Sequence, residues 1–310
     1  MIKKVPEGES LRQRLEESVK DRLYHFLLDY GSVRGALLHA GRLVSEMRAN
    51  HELGTLETLV LGHAYIGAAL MSVNLKGDDR LKLQVHCSGP ARGLSVESNA
   101  FGEVRGYLAE VPIPVREPVD PADLSPLFAE GVLTVTRFLA GARQSFSGQV
   151  ALEGRGLAEN LTHYFLTSEQ AGSFFQLSVR LDPHGELQGA GGLFLQLLPG
   201  AERASVDRLE ELSAGLPSIG AAFAAGLPAE ELLAEWFAPM NPLLLGNRRV
   251  AFMCHCSAQR FGRFLGALPR EELADMLEKG PFPVETTCSN CNSRYYFTRA
   301  QIERLHRERA

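Results

Sequence analysis

An α+β fold is what this sequence predicts: a first domain of helices packed against an antiparallel sheet, then a helical linker, then a small cysteine-bearing C-terminal domain. Three observations carry this. Helical periodicity in the early chain gives way to strands alternating with period two, an order that favours antiparallel pairing. An acidic stretch broken by Pro and Gly follows. Four of the five cysteines then fall beyond residue 249. The expected division is 1–198, 199–248 and 249–310.

In order along the chain, apolar residues at three- and four-residue spacing predict helices over Leu11–Leu28, Gly41–Arg48 and Thr55–Leu75. The last of these is the most apolar run. Glu57, Thr58, His63, Tyr65 and Asn74 interrupt it, whereas a membrane span needs about 20 predominantly apolar residues, so a core helix is expected. Leu81, Leu83, Val85 and Cys87 alternate with Lys82, Gln84 and His86, which marks a strand with one apolar face. Leu94 with Val96, and Leu133 with Val135, continue that pattern. Asn160–Gln170 reads as a helix burying Leu161, Tyr164 and Phe165. A hairpin is expected to pair Phe175–Leu181 with Leu193–Leu197 through a turn at Asp182-Pro183-His184-Gly185.

The linker is strongly acidic: Glu202, Asp207, Glu210, Glu211, Glu230, Glu231 and Glu235 face only Arg203 and Arg208. Gly215, Pro217, Gly220, Gly226 and Pro228 cut it into short helices, which are marginal without a surface to pack on. Its apolar residues, among them Leu209, Ile219, Phe223, Leu232, Leu233, Trp236 and Phe237, are available for such docking.

At 310 residues the chain has room for one large core and an appendage. Its 45 % apolar and 22 % charged composition is that of an ordinary globular protein. A formal charge of −5 argues against nucleic acid as the main partner. The opening MIKKVPEGESLRQRLEESVKDRL has no apolar signal-peptide core. A cytoplasmic location without a membrane partner is therefore expected, where thiols stay reduced and clustered cysteines point to metal or redox chemistry.

Cys254-His255-Cys256 and Cys288-Ser289-Asn290-Cys291 have the spacing of a zinc site, each half supplying two tetrahedral ligands. In an extended segment Cys254 and Cys256 face the same way, while Cys288 and Cys291 bracket a tight turn. A helix around Arg270–Lys279 is expected behind the site. His255 is expected to point away, and Cys87 to be a buried small hydrophobe. Four thiolates around Zn²⁺ carry a formal charge of −2 and are the oxidisable form of cysteine. A domain of about 60 residues is marginal by burial alone, and bound zinc contributes about 10–16 kcal/mol in small modules. Oxidation that removes the metal would thus unfold the domain. A Cys254–Cys256 bridge in extended backbone lies near the upper limit of bridging distance, which suits a labile switch better than a staple.

These motifs, with Gly31-Ser32-Val33-Arg34-Gly35, Gly102-Glu103-Val104-Arg105-Gly106-Tyr107, Ser147-Gly148-Gln149-Val150, Tyr164-Phe165 with Ser168-Glu169-Gln170, and Ala190 to Pro199, make the chain resemble the redox-regulated holdase family of 33-kDa heat-shock proteins. The resemblance covers nearly the whole chain. It implies one Zn²⁺ per chain held by Cys254, Cys256, Cys288 and Cys291 when reduced, and disulfides Cys254–Cys256 and Cys288–Cys291 when oxidised. It further implies a linker that unfolds on activation, unfolding client proteins held without ATP, and a homodimer in the oxidised state. The absence of a Walker-type phosphate loop agrees with ATP independence. Ser257-Ala258-Gln259-Arg260 departs from the family pattern in lacking an acidic residue, which bears on local ion pairing and leaves the cysteines intact.

Two other functions share the motif. A zinc knuckle gripping nucleic acid would use Tyr295, Tyr296 and Phe297 to stack bases, but charges from Ala251 onward nearly balance. A thiol–disulfide oxidoreductase would place Cys288 and Cys291 at a helix N-terminus after a strand, whereas a strand is expected after this pair. His63, His163 and Asp21 are too dispersed for a catalytic constellation, so no enzyme is expected. The sequence does not single out client-contacting residues.

Overall fold

The computed structural model describes residues 1–4, 21–115 and 117–308. The strands are β1 (Arg22–Leu28), β2 (Val33–His39), β3 (Arg80–Cys87), β4 (Gly93–Asn99), β5 (Glu103–Leu108), β6 (Gly131–Phe138), β7 (Phe146–Ala151), β8 (Ser173–Leu181), β9 (Leu187–Leu197), β10 (Leu243–Arg249), β11 (Ala251–Phe252), β12 (Val284–Thr287) and β13 (Arg294–Phe297). The helices are α1 (Gly41–His51), α2 (Thr55–Met71), α3 (Ser125–Phe128), α4 (Leu157–Ser168), α5 (Arg203–Gly215), α6 (Ile219–Ala224), α7 (Ala229–Trp236), α8 (Ala258–Gly266), α9 (Arg270–Lys279) and α10 (Arg299–Glu308).

Two sheets dominate. One has strand order β10-β1-β2-β9-β8, the other β11-β5-β4-β3-β6-β7. All pairings are antiparallel except β11 on β5. Helix α2 lies between the sheets and contacts β8 and β9 on one side and β4 and β5 on the other. Tyr65 donates to Gly106 O at 2.9 Å and locks α2 to β5. The segment Thr55–Asn74 is long and apolar enough to span a membrane, yet 83 % of its apolar window is buried inside the fold. It is the core helix its polar interruptions predict.

The strands expected around Leu81, Leu94 and Leu133 form, as does the hairpin, with Phe175 opposite Phe194 and Val179 opposite Ala190. Two expectations fail. Of the helix expected over Leu11–Leu28, residues 11–20 lie outside the described residues, and Arg22–Leu28 is a strand. It lies between β10 and β2 and is buried on both faces: Leu23 joins the inter-sheet core, while Tyr24, Phe26 and Leu28 face the linker. Such a strand has no clean alternation to read. The end of the expected helical linker is also a strand, β10, paired with β1 from Arg22↔Arg249 to Leu27↔Leu243.

The helices α5 to α7 cover the outer face of the β10-β1-β2-β9-β8 sheet. Leu209, Ile219, Phe223, Leu232, Leu233 and Phe237 are buried there against Phe26, Leu37, Leu193 and Leu195. Gly189 and Gly191 of β9 permit this approach, since a Cβ at Gly189 would meet Gly220 O at 2.3 Å. Asp29 fixes α5 by accepting from Arg208 Nη2 at 2.6 Å and from the Ser205 hydroxyl. The acidic stretch is thus helical because the sheet supplies the surface that short helices lack.

Candidate metal centre

The chain leaves β10, crosses Val250, whose N–H donates to Asp21 O at 3.1 Å, and enters β11. Ala251 N donates to Gly102 O at 2.9 Å and Met253 N to Val104 O at 3.0 Å. This pairing delivers Cys254 against β5. The second pair lies in the turn between β12 and β13, where Cys291 N and Asn292 N both donate to Cys288 O, at 3.2 and 2.7 Å. Asn292 has φ +52°, the left-handed conformation that closes the knuckle.

The four sulfurs of Cys254, Cys256, Cys288 and Cys291 lie within 4.8 Å of one another, and all four residues are buried. Cys254 Sγ is 3.8 Å from Cys288 Sγ, and Cys256 Sγ is 3.3 Å from Cys291 Sγ. Both of these contacts join opposite halves of the motif. Hydrogen bonds from Cys288 and Cys291 hold the Cys254 thiol well below its ordinary pKa, and the same bond to Cys254 pushes Cys288 up. Four thiols this close cannot all ionise without a cation among them. Tyr295 Oη lies 3.1 Å from Cys256 Sγ, and the Tyr295 ring stacks on Phe261 at 5.2 Å. Arg105 Nη1 donates to Cys254 Sγ at 3.7 Å.

Around the cluster, Ser257 caps α8 by accepting from Arg260 N at 3.2 Å. The expected helix over Arg270–Lys279 forms as α9. His255 turns outward, its Nε2 2.8 Å from Glu103 Oε2, and takes no part in the cluster. Cys87 lies at the end of β3, apart from the other four. It is half-buried rather than fully buried, because the strand ends there, and burial pushes its thiol pKa up. Tyr295 and Phe297 are buried within the module, and Cys288 and Cys291 bracket a hairpin turn rather than a helix start. Asp21 binds His39 at 3.0 Å and the backbone N–H of Leu43 at 2.6 Å, so it caps α1 rather than serving a catalytic constellation.

Sequence reasoning missed the residues that dock the module. Asn50, fully buried on α1, donates to Ile2 O and Cys291 O at 2.9 and 2.8 Å, and accepts from Lys4 N at 2.9 Å. His51 sits beside it with its ring 6.2 Å from that of Phe252, and burial pushes its pKa down to about 4. The available signal was two polar residues one turn apart, Glu46 and Asn50, on the helix face that carries Leu43 and Met47.

The profile of the family described as Hsp33 protein matches residues 21–298. The chain belongs to the Hsp33 family. Similar relatives include the 33 kDa chaperonin of Geobacillus sp. (strain WCH70), 32 % identical over 289 residues that span 93 % of this chain and 97 % of that one. The 33 kDa chaperonin of Enterococcus faecalis is 30 % identical over 292 residues, spanning 94 % and 97 %. The crystal structure of the Thermotoga maritima 33 kDa chaperonin, an Hsp33 homologue, aligns with a TM-score of 0.85 at 31 % identity, covering 94 % of this chain and 99 % of that one. The protein is accordingly a chaperone of the Hsp33 family, with that family's mixed α+β fold and four clustered cysteines placed where they could hold a metal ion.

Proposed function

We propose that this protein is a redox-regulated, ATP-independent holdase that binds unfolding proteins and prevents their aggregation. The observation that carries the reading is the buried cluster of four sulfurs within 4.8 Å. The donor set fits zinc: sulfurs about 2.3 Å from a common centre stand about 3.8 Å apart in a regular tetrahedron, the separation of Cys254 and Cys288. Cys254, Cys256, Cys288 and Cys291 would hold one Zn²⁺, which supplies folding free energy and no redox chemistry of its own.

Under peroxide, each thiolate pair gives up two electrons and forms a disulfide, Cys254–Cys256 or Cys288–Cys291. The peroxide takes two protons per pair and leaves as two waters. The module then loses the ligands that fold it. Because β11 and β10 are continuous with Cys254, loosening the module weakens β10 at the sheet edge and the linker helices preceding it. Release of those helices uncovers Phe26, Leu37, Leu193 and Leu195, a contiguous apolar face of the kind that binds unfolded chains. The resemblance to the family supports a homodimer in the oxidised state and a cytoplasmic setting, with client binding rather than catalysis as the activity.

The test is light scattering of a thermally unfolding client with reduced zinc-loaded and with peroxide-treated protein. Suppression of aggregation by the oxidised form alone is expected. Equal suppression by both forms would overturn the redox reading.

A further inference from the structure

Arg105 connects the cysteine cluster to the first domain, and its role there rests on the zinc and redox chemistry proposed for the cluster. Its guanidinium is divided between two partners. Nε and Nη2 donate to Glu97 Oε2 at 3.1 and 2.6 Å, and Nη1 donates to Cys254 Sγ at 3.7 Å. Glu97 stands directly opposite Arg105 in the β4–β5 ladder, so the sheet holds the guanidinium from behind and presents its free edge to the sulfur. The Arg105 side chain is 21 % exposed, shielded enough for the contact to resist screening by salt. The same strand carries the backbone pairing that seats β11 and, at Glu103, the partner of His255.

Where a metal already keeps a thiolate ionised, a charge-assisted hydrogen bond from arginine draws on its lone pair and makes it a weaker nucleophile. We propose that Arg105 is a positioning residue that fixes Cys254 Sγ within the cluster and sets the threshold at which the module oxidises. Disulfide formation moves two electrons from the Cys254 and Cys256 thiolates to hydrogen peroxide. The O–O bond breaks, the S–S bond forms, and two protons complete two waters. The sulfur left behind is uncharged, so Arg105 loses its anionic acceptor at the step that should undock β11 from β5. One side chain thus both restrains the switch and reports its state to the first domain.

The experiment follows zinc release from the full-length zinc-loaded protein with a chromogenic chelator across a range of peroxide concentrations. The second-order constant reports sulfur reactivity and access together, so Asn50→Ala, which loosens docking while leaving Arg105 in place, measures how far access alone raises it. Arg105→Gln should raise the second-order constant about tenfold, the scale of one charge-assisted hydrogen bond. Arg105→Lys, which keeps the charge without the fork, should fall between, and keeps the test open if the glutamine variant folds poorly. Arg137→Gln removes an ion pair of similar exposure on β6, to Glu169 at 3.0 Å, and should match the wild type. Second-order constants for both Arg105 variants equal to the wild type, even with faster peroxide-independent leakage, would overturn the proposal. A wild-type protein that holds no zinc, or keeps it in peroxide, would overturn the redox reading and this inference with it, before any variant is compared.

Discussion

Asn50 Nδ2 donates to the carbonyl oxygen of Cys291 at 2.8 Å, joining the last turn of α1 to the cysteine knuckle across the fold. The same side chain binds Ile2 and Lys4, and Asn50 O accepts from Asn292 Nδ2 at 3.0 Å. Fully buried, Asn50 has every polar atom paired, so the docked module and the first domain share one hydrogen-bond network.

Asn50→Ala should undock the module without removing a cysteine. Leaving buried partners unsatisfied costs about 1–3 kcal/mol for each group, which should lower the denaturant midpoint of the reduced protein. Chelator competition should find metal affinity within a few-fold of wild type. A large loss of affinity would mean that docking, and not the four sulfurs, makes the site.

Cys288→Ser should abolish tight metal binding, because it removes one thiolate from a buried set of four. Metal analysis of the reduced wild type should find about one zinc per chain, with sulfur ligands near 2.3 Å by X-ray absorption. Full affinity in the serine variant would refute the ligand set.

Cys87 should stay reduced while the clustered cysteines oxidise. Its raised pKa leaves less of the reactive thiolate at neutral pH, and the other sulfurs lie elsewhere in the fold. Peptide mapping after peroxide treatment checks this. A disulfide from Cys87 to any of the four would contradict the separation described.

Linker docking should weaken in acid. The Ser205 hydroxyl and the Arg208 guanidinium hold the Asp29 carboxyl below its ordinary value of 3.8. A carboxylate with a depressed folded-state pKa contributes stability that is present above the unfolded value and lost as pH falls through the folded one. The stability difference between wild type and Asp29→Asn should therefore be largest near neutrality and shrink as pH falls below about 4. A difference independent of pH would show that the charge of Asp29 does not hold α5.

The cysteine cluster was legible because thiolate spacing is a local signal: two residues across an extended segment, three across a turn. Strands with one wet face, such as β3, were legible from alternation. β1 was not, because Leu23 on one face and Phe26 and Leu28 on the other are all buried, and an apolar run has no period. β10 was unreadable for a related reason. Leu243, Leu244 and Leu245 are all exposed, and only the pairing of β10 with β1, with Leu245 at its bulge, makes them a strand. Arg105 and Asn50 owe their roles to contacts with residues 149 and 241 positions away, which no window of sequence contains.

In the mechanism proposed here the cysteine cluster controls docking of the linker on the outer face of the sheet. Phe237 packs on Phe26 with ring centroids 5.6 Å apart, and Trp236, the single tryptophan, sits half-buried beside it. Amide hydrogen exchange of the reduced zinc-loaded and the peroxide-oxidised protein, with Trp236 emission recorded alongside, tests this coupling. Exchange should accelerate from Arg203 through β10 as well as beyond Cys254, with a red shift at Trp236. Acceleration confined to residues from Cys254 onward, with client binding still switched on, would contradict it.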